Sequence, residues 1–321
     1  MAWTPDVKPR HRVIVDNDFS GDPDDLFALA HQVLSPSADI RGVIGSHLAP
    51  GDFFDPSDRQ ADNAAEIAAG LLALLGRPDI TVAKGSNTAL GSLEAGELSD
   101  AAALIVHEAI HGDPTLPLLA TFGGGFTELA AAWKHDPSIE SRLTAIWIGG
   151  EEYPEGPDAP PFAEGPEYNI NIDIPAAQVV FNESAIPIIQ VPRDAYRQCI
   201  VSMAELAAAM ETAGELGSYL GNALSRVIAA NEQNGHRMGE TYVMGDNPLV
   251  LLASLQTPWE PDFSSTGHRV RPTPFITDSG GYAEQAVRVP RPIRVCTRID
   301  TRLMFQDMFS KLAGCRDGSG H

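Results

Sequence analysis

The sequence predicts an α/β fold in which a mainly parallel, open sheet is flanked by helices. Three observations carry that expectation: seven short β-branched or aliphatic runs, helical patterns lying between them, and enough chain to bury a large core, 321 residues of which 43% are hydrophobic.

The elements follow in order. Arg12–Val15 reads as a strand, and the pattern Asp24–Leu34, with Leu26, Leu29, Ala30 and Leu34 on one face, reads as the helix after it. Ile40–Ile44 leads into a helical stretch at Asp58–Leu75, and Ile80–Val82 into one at Asp100–His111. Leu116–Ala120 precedes Phe126–Lys134, Leu143–Ile148 precedes Pro175–Asn182, and Ile186–Val191 precedes a long helical stretch at Met203–Ala230. Ile293–Cys296 and Thr301–Lys311 close the chain as a last strand and helix. Strand and helix alternate throughout, the signature of βαβ units on a Rossmann-like parallel sheet covered on both faces. One domain spanning residues 1–321 is expected, with long loops at about 149–166 and 256–281 acting as lids or binding loops. Ligands of such sheets sit beyond the carboxyl ends of the strands, so residues just after each strand are the functional candidates.

Charge narrows the partners. The formal net charge is −21 with only 22 Lys and Arg, which argues against a nucleic-acid partner, since phosphate binding needs a clustered basic face. Cys199, Cys296 and Cys315 form no CxxC pair, so neither a disulfide framework nor a zinc knuckle is indicated. Met1–Arg12 lacks the apolar core of a secretory signal, and no run reaches the roughly 18 apolar residues of a membrane span. A cytoplasmic protein with no membrane partner is expected.

The strongest chemical signal follows the first strand, in Asp16-Asn17-Asp18-Phe19-Ser20-Gly21-Asp22-Pro23-Asp24-Asp25. Half of it is explained as a helix start: Asp22 as N-cap, Pro23 at the first helical position, Asp24 and Asp25 at the positive end of the helix dipole. Asp16 and Asp18 are not. They emerge at a strand end beside three further carboxylates, and like charges that close need a compensating cation. Calcium, which takes six to eight oxygen ligands, suits the crowding better than magnesium, which keeps more water. One Ca2+ per chain is expected. The run aliphatic-Asp16-Asn17-Asp18 also resembles the nucleophile motif of haloacid-dehalogenase-type phosphatases, which phosphorylate the first Asp with magnesium assistance. Their cap insertion is missing, however, and Gly245-Asp246-Asn247-Pro248 lacks their second acid.

With the α/β frame, the cluster resembles the DxDxGxDD signature of the inosine-uridine preferring nucleoside hydrolase family, Asp16, Asp18, Asp24 and Asp25 matching its acids with a two-residue expansion between them. The resemblance runs on through Asn63-Ala64, Ile80–Gly85, the glycine-rich turn Thr121–Ala130, Ile148-Gly149-Gly150, Glu167-Tyr168-Asn169-Ile170 with Asp173, Val191–Asp194 and Ile299-Asp300. Their order and spacing carry the signal.

The resemblance implies a nucleoside hydrolase-like fold and cleavage of the N-glycosidic bond of a ribonucleoside or related small-molecule riboside, giving ribose and free base. It implies calcium held by Asp18, Asp25, Asp246 and a backbone carbonyl near Gly123, ribose hydroxyls gripped by Asp24, Glu167 and Asn169, Asp18 accepting a proton from the attacking water, and Asp16 holding the loop behind them. It also implies a homodimer or homotetramer. Such residue types suit the reaction, because an oxocarbenium-like sugar needs carboxylates around its ring.

The chain departs from the family at the leaving group. In the better-known branch of the family a histidine directly before the Asp246-type aspartate protonates the departing base, and here Gly245 stands there. His236, Tyr242, Trp259 and His268 are the candidates for contacting the leaving group in its place. A riboside- or calcium-binding protein without catalysis is the remaining alternative.

Overall fold

The computed structural model describes residues 6–92, 98–161, 163, 165–257 and 266–315. The first half of the chain runs β1 (His11–Asn17), α1 (Asp24–Val33), β2 (Ala38–Gly45), α2 (Gln60–Leu74), β3 (Val82–Lys84), α3 (Asp100–His111), β4 (Leu118–Phe122), α4 (Thr127–His135) and β5 (Leu143–Ile148). Short helices α5 (Tyr168–Ile172) and α6 (Ile174–Gln178) lead to β6 (Ile188–Val191), and α7 (Arg193–Tyr196) to β7 (Ile200–Ser202). Then come α8 (Met203–Thr212), α9 (Gly214–Gln233), β8 (Thr241–Val243), α10 (Pro248–Ser254), β9 (Gly267–Pro272), β10 (Phe275–Ile276), β11 (Tyr282–Ala283), β12 (Pro292–Arg298) and α11 (Thr301–Ala313).

Eight strands form the central sheet in the order β3-β2-β1-β4-β5-β6-β12-β9. Seven are mutually parallel, and β9 pairs antiparallel with β12 at the edge. Hydrophobic clusters fill both faces: Val13, Val15 and Val43 point to one, Ile14, Ile44 and Ala120 to the other. That two-sided burial is why the strands read as continuous aliphatic runs. The chain winds outward from β1 to β3, then returns to the other side of β1 as β4, so the order reverses at the β1/β4 pair. In an open parallel sheet this reversal opens a crevice at the carboxyl ends of the two strands.

All seven expected strands are present. The long helical stretch expected at Met203–Ala230 is instead two helices, broken at Gly214 with φ +59°, a left-handed conformation that glycine adopts without strain. The loop expected at 256–281 contains β9 and β10, while its residues 258–265 lie outside the described residues. Among the described residues no helix is long and apolar enough to cross a membrane.

One glycine fixes how α2 sits on the sheet. A Cβ on Gly45 would lie 2.2 Å from the Ala65 backbone nitrogen and 2.7 Å from its Cα, so helix and strand end touch backbone to backbone. Neither can yield without moving the other. Gly45→Ala is expected to lower unfolding stability by about 1–3 kcal/mol, the usual cost of overpacking. A denaturant midpoint equal to that of the unaltered protein would contradict this packing.

Candidate active site and metal centre

The acidic cluster lies at the crevice. Asp16 sits in β1 level with Ile44 of β2 and Phe122 of β4, and the chain leaves the sheet at Asn17. The turn that follows closes on itself through the Gly21 N–H donating to the Asp18 carbonyl at 2.8 Å, and α1 then starts with Asp24 and Asp25 in its first turn. Pro23 occupies the cap position expected for Asp22, whose Oδ1 nevertheless accepts the Asp24 N–H at 3.3 Å. Asp246 arrives from the other side, on the turn before α10, and its N–H donates to Asp24 Oδ2 at 3.1 Å.

Carboxylate oxygens of Asp24, Asp25 and Asp246 all lie within 4.8 Å of one another, and all three residues are buried. Asp18, only 6% exposed, stands beside them against the glycine turn after β4. A Cβ on Gly124 would meet Asp18 Cγ at 3.2 Å, and one on Gly123 would lie 1.5 Å from Asn17 Oδ1 and 2.2 Å from Asp246 Oδ2. Glycine there lets the backbone pack directly against Asn17, Asp18 and Asp246.

Electrostatics asks for a cation. Burial first, and neighbouring carboxylates after it, push Asp18, Asp24 and Asp25 well above the ordinary carboxylate range. Burial also raises Asp16 strongly, and Asp246 is pushed up to about 7, again chiefly by burial. Among the described residues, both carboxylate oxygens of Asp16, the side-chain amide of Asn17 and Oδ2 of Asp25 are buried without a hydrogen-bond partner. Orphaned buried oxygens of this kind are costly unless something unseen satisfies them. A set of carboxylates with a nearby carbonyl fits a hard, oxygen-loving cation.

The cluster floors a cleft of about 300 Å³, large enough for a small ligand, lined by Asp18, Asp22, Asp24, Asp25, Asp52, Gly123, Glu167, Asn169, Gly245 and Asp246, with Leu48, Phe54, Ile148, Tyr168, Tyr196 and Val243. Glu167 caps α5: its Oε2 accepts the N–H groups of Gly150 at 2.8 Å, Asn169 at 3.1 Å and Ile170 at 3.2 Å, and its Oε1 accepts the Tyr196 hydroxyl at 3.0 Å. Asn169 donates its amide to the carbonyls of Gly123 at 2.7 Å and Ile148 at 2.8 Å, tying the β4 turn to the β5 end. Asn169 also lines the cleft.

The residues named for the leaving group do not gather there. His236 is exposed beyond the end of α9, and His268 lies on β9, five strands from β1 and hence roughly 24 Å away at about 4.8 Å per strand. Neither lines the cleft. Tyr242 is buried beside it and donates its hydroxyl to Asp22 at 2.7 Å. Trp259 lies outside the described residues. The groups that do occupy the mouth, Asp22, Asp52, Phe54, Tyr168 and Tyr196, escape a motif-based search, although Tyr168 sits between Glu167 and Asn169 and could have been drawn from that neighbourhood.

A family model described as inosine-uridine preferring nucleoside hydrolase matches residues 13–305. In structure, the chain is similar to a plant nucleoside hydrolase, with TM-score 0.71, 18% identity, and 95% of this chain and 99% of that one covered. It is also similar to a purine-preferring ribonucleoside hydrolase from Gardnerella vaginalis, with TM-score 0.70, 17% identity and coverage of 95% and 98%, and to an inosine-guanosine nucleoside hydrolase, with TM-score 0.70, 15% identity and coverage of 94% and 99%. At these identities the likeness is one of fold. Comparison with curated proteins finds no match. The phosphatase alternative recedes on geometry as well: Asp16, which such an enzyme would phosphorylate, is 1% exposed and does not line the cleft.

Proposed function

Because the chain belongs to the inosine-uridine preferring nucleoside hydrolase family, whose members are N-glycosyl hydrolases, we propose that it hydrolyses a ribonucleoside or related riboside to ribose and free base with one calcium ion per chain. The observation that carries this is the buried trio Asp24, Asp25 and Asp246 beside Asp18, at the floor of a cleft over the strand-order reversal.

Calcium would be held by Asp18, Asp25, Asp246 and the Gly123 carbonyl, with Asp24 close enough to share the task or turn to the sugar. When bound, the cation supplies positive charge that acidifies the attacking water. Asp18 takes the proton of that water as its oxygen bonds to the anomeric carbon. Asp24 and Asn169, both in the cleft lining, grip ribose hydroxyls. Glu167 works at one remove, since its lone pairs already hold three backbone N–H groups and the Tyr196 hydroxyl, and its negative charge stabilises the positive sugar ring. Asp16 lies behind the lining, where its backbone carbonyl accepts the Gly123 N–H at 2.9 Å and ties β1 to the glycine turn.

The reading is tested by assaying free ribose from purine, pyrimidine and nicotinamide ribosides, with and without chelator. Release that chelator stops and calcium restores is expected; tight riboside binding without turnover would favour a binding protein instead. Asn169→Ala is expected to raise KM about tenfold or more and to lower stability by about 1–3 kcal/mol, because two buried carbonyls lose their donor along with the sugar contact. Unaltered KM and an unaltered melting temperature would remove Asn169 from the site.

A further inference from the structure

The mouth of the cleft is unusual in both charge and protons, and together, granting the hydrolase reading above, they select a class of substrate. Seven carboxylates line the cleft, with no Lys, Arg or His among the lining residues. A divalent cation offsets two of these charges. Asp22 and Asp52 lie outside the buried metal trio and line the cleft half-buried, so their charge faces its occupant.

Protons are the independent observation. The two phenols at the mouth and the buried one beside it each give their hydroxyl proton to a carboxylate: Tyr168 to Asp52, Tyr196 to Glu167 and Tyr242 to Asp22. Burial, and then facing carboxylates, push all three phenols upward, away from acting as acids. Ahead of Asp246 stands Gly245, where the nearest neighbours of a Cβ would be Asp24 Oδ2 at 3.4 Å and the Tyr196 ring at 3.5 Å. Among the described residues, no group is placed to hand a proton to a departing ring nitrogen. Without a proton from the residues that line the cleft, a neutral nucleoside expels its base as an anion among carboxylates.

We propose that the preferred substrates are ribosides whose base bears a fixed positive charge, pyridinium or N7-alkylated purine ribosides, recognised by Asp22 and Asp52 together with the aromatic faces of Tyr168 and Phe54. No acid is then needed. As the bond from the anomeric carbon to the ring nitrogen breaks, its electron pair stays on nitrogen and cancels the charge, so the base leaves neutral. Positive charge moves onto the sugar, toward Asp24 and Glu167, and water adds its oxygen to the anomeric carbon while its proton passes to Asp18.

The experiment compares calcium-loaded enzyme on 7-methylguanosine against guanosine, on nicotinamide riboside against uridine, and on p-nitrophenyl riboside, a neutral substrate with a good leaving group. The cationic member of each pair is expected to show kcat/KM about 100-fold or more above its neutral partner, the range an absent general acid costs. Its KM is expected to lie about tenfold below that of p-nitrophenyl riboside, an advantage that shrinks as sodium chloride rises and in the D22N/D52N double variant. Salt dependence in the unaltered protein keeps the test valid if the variant misfolds. Neutral nucleosides cleaved as well as their cationic partners, or a KM advantage indifferent to salt, would overturn the assignment while leaving the hydrolase reading intact. Ribose released from none of the five substrates would overturn the hydrolase reading, and this inference with it.

Discussion

Asp18→Asn is expected to cut kcat by about 10³-fold or more while leaving the fold intact. Removal of a general base alone costs about 10² to 10⁴ in rate, and here the same side chain also faces the cation site. The amide keeps the size of the carboxylate, so Gly124, against which Asp18 packs, is not disturbed. Stability should move in the opposite direction to activity. Asp18 is raised chiefly by its own burial and then by the charge of Asp246, so a neutral amide relieves both in metal-free protein. Chelated D18N should therefore melt at or above the temperature of chelated parent protein, yet release almost no ribose. Unchanged turnover would sink the mechanism, and collapse of the fold would mean that Asp18 supports the turn rather than the reaction. A parallel D16N variant separates the roles: Asp16 does not line the cleft, so its kcat should fall far less.

How much of this was readable in the chain depends on whether the determinant is local. Each parallel strand announces itself as an aliphatic run because both its faces are buried, and the bounds of Asp100–His111 are legible because Ser99 caps the helix and Gly112 follows it. The break inside the helical stretch at 203–230 is not legible in the sequence, because Gly214 looks like any small residue until α9 folds back on α8, bringing Gly217 so close that a Cβ would lie 1.9 Å from the Met210 carbonyl. The short strand β9 is hidden for a similar reason: it is an edge strand with an exposed Val270 and charged neighbours, held by pairing with β12 rather than by burial. The site divides the same way. Asp16 to Asp25 are contiguous, so their crowding shows in the sequence, and Asp246, Glu167 and Asn169 entered through the family resemblance. Asp52, Phe54 and Tyr196 meet them only because the β2 and β6 ends flank the same crevice, a relation no local pattern encodes.

Metal removal should destabilise the protein, increasingly so as pH rises. The sign follows from the carboxylates. In metal-free protein Asp18, Asp24, Asp25 and Asp246 are all raised, Asp246 to about 7, whereas unfolding returns them to the ordinary value of about 4. Between pH of about 4 and about 7 the folded, metal-free chain thus binds more protons than the unfolded chain, and its stability falls as pH climbs through that window. With calcium bound the same carboxylates are ionised and compensated, so this loss does not occur. At 100 times its dissociation constant the ion adds about 2.7 kcal/mol, which for a chain of this size is on the order of 5 °C in melting temperature. The gap between calcium-loaded and chelated protein should therefore be small at pH 5 and large at pH 8. Magnesium should close less of it than calcium, because four clustered carboxylates offer more protein ligands than magnesium readily accepts. Melting curves recorded across that range decide the matter: a gap that narrows with rising pH, or no gap at millimolar calcium, would remove the ion from the cluster and leave the orphaned oxygens of Asp16 and Asp25 without a partner.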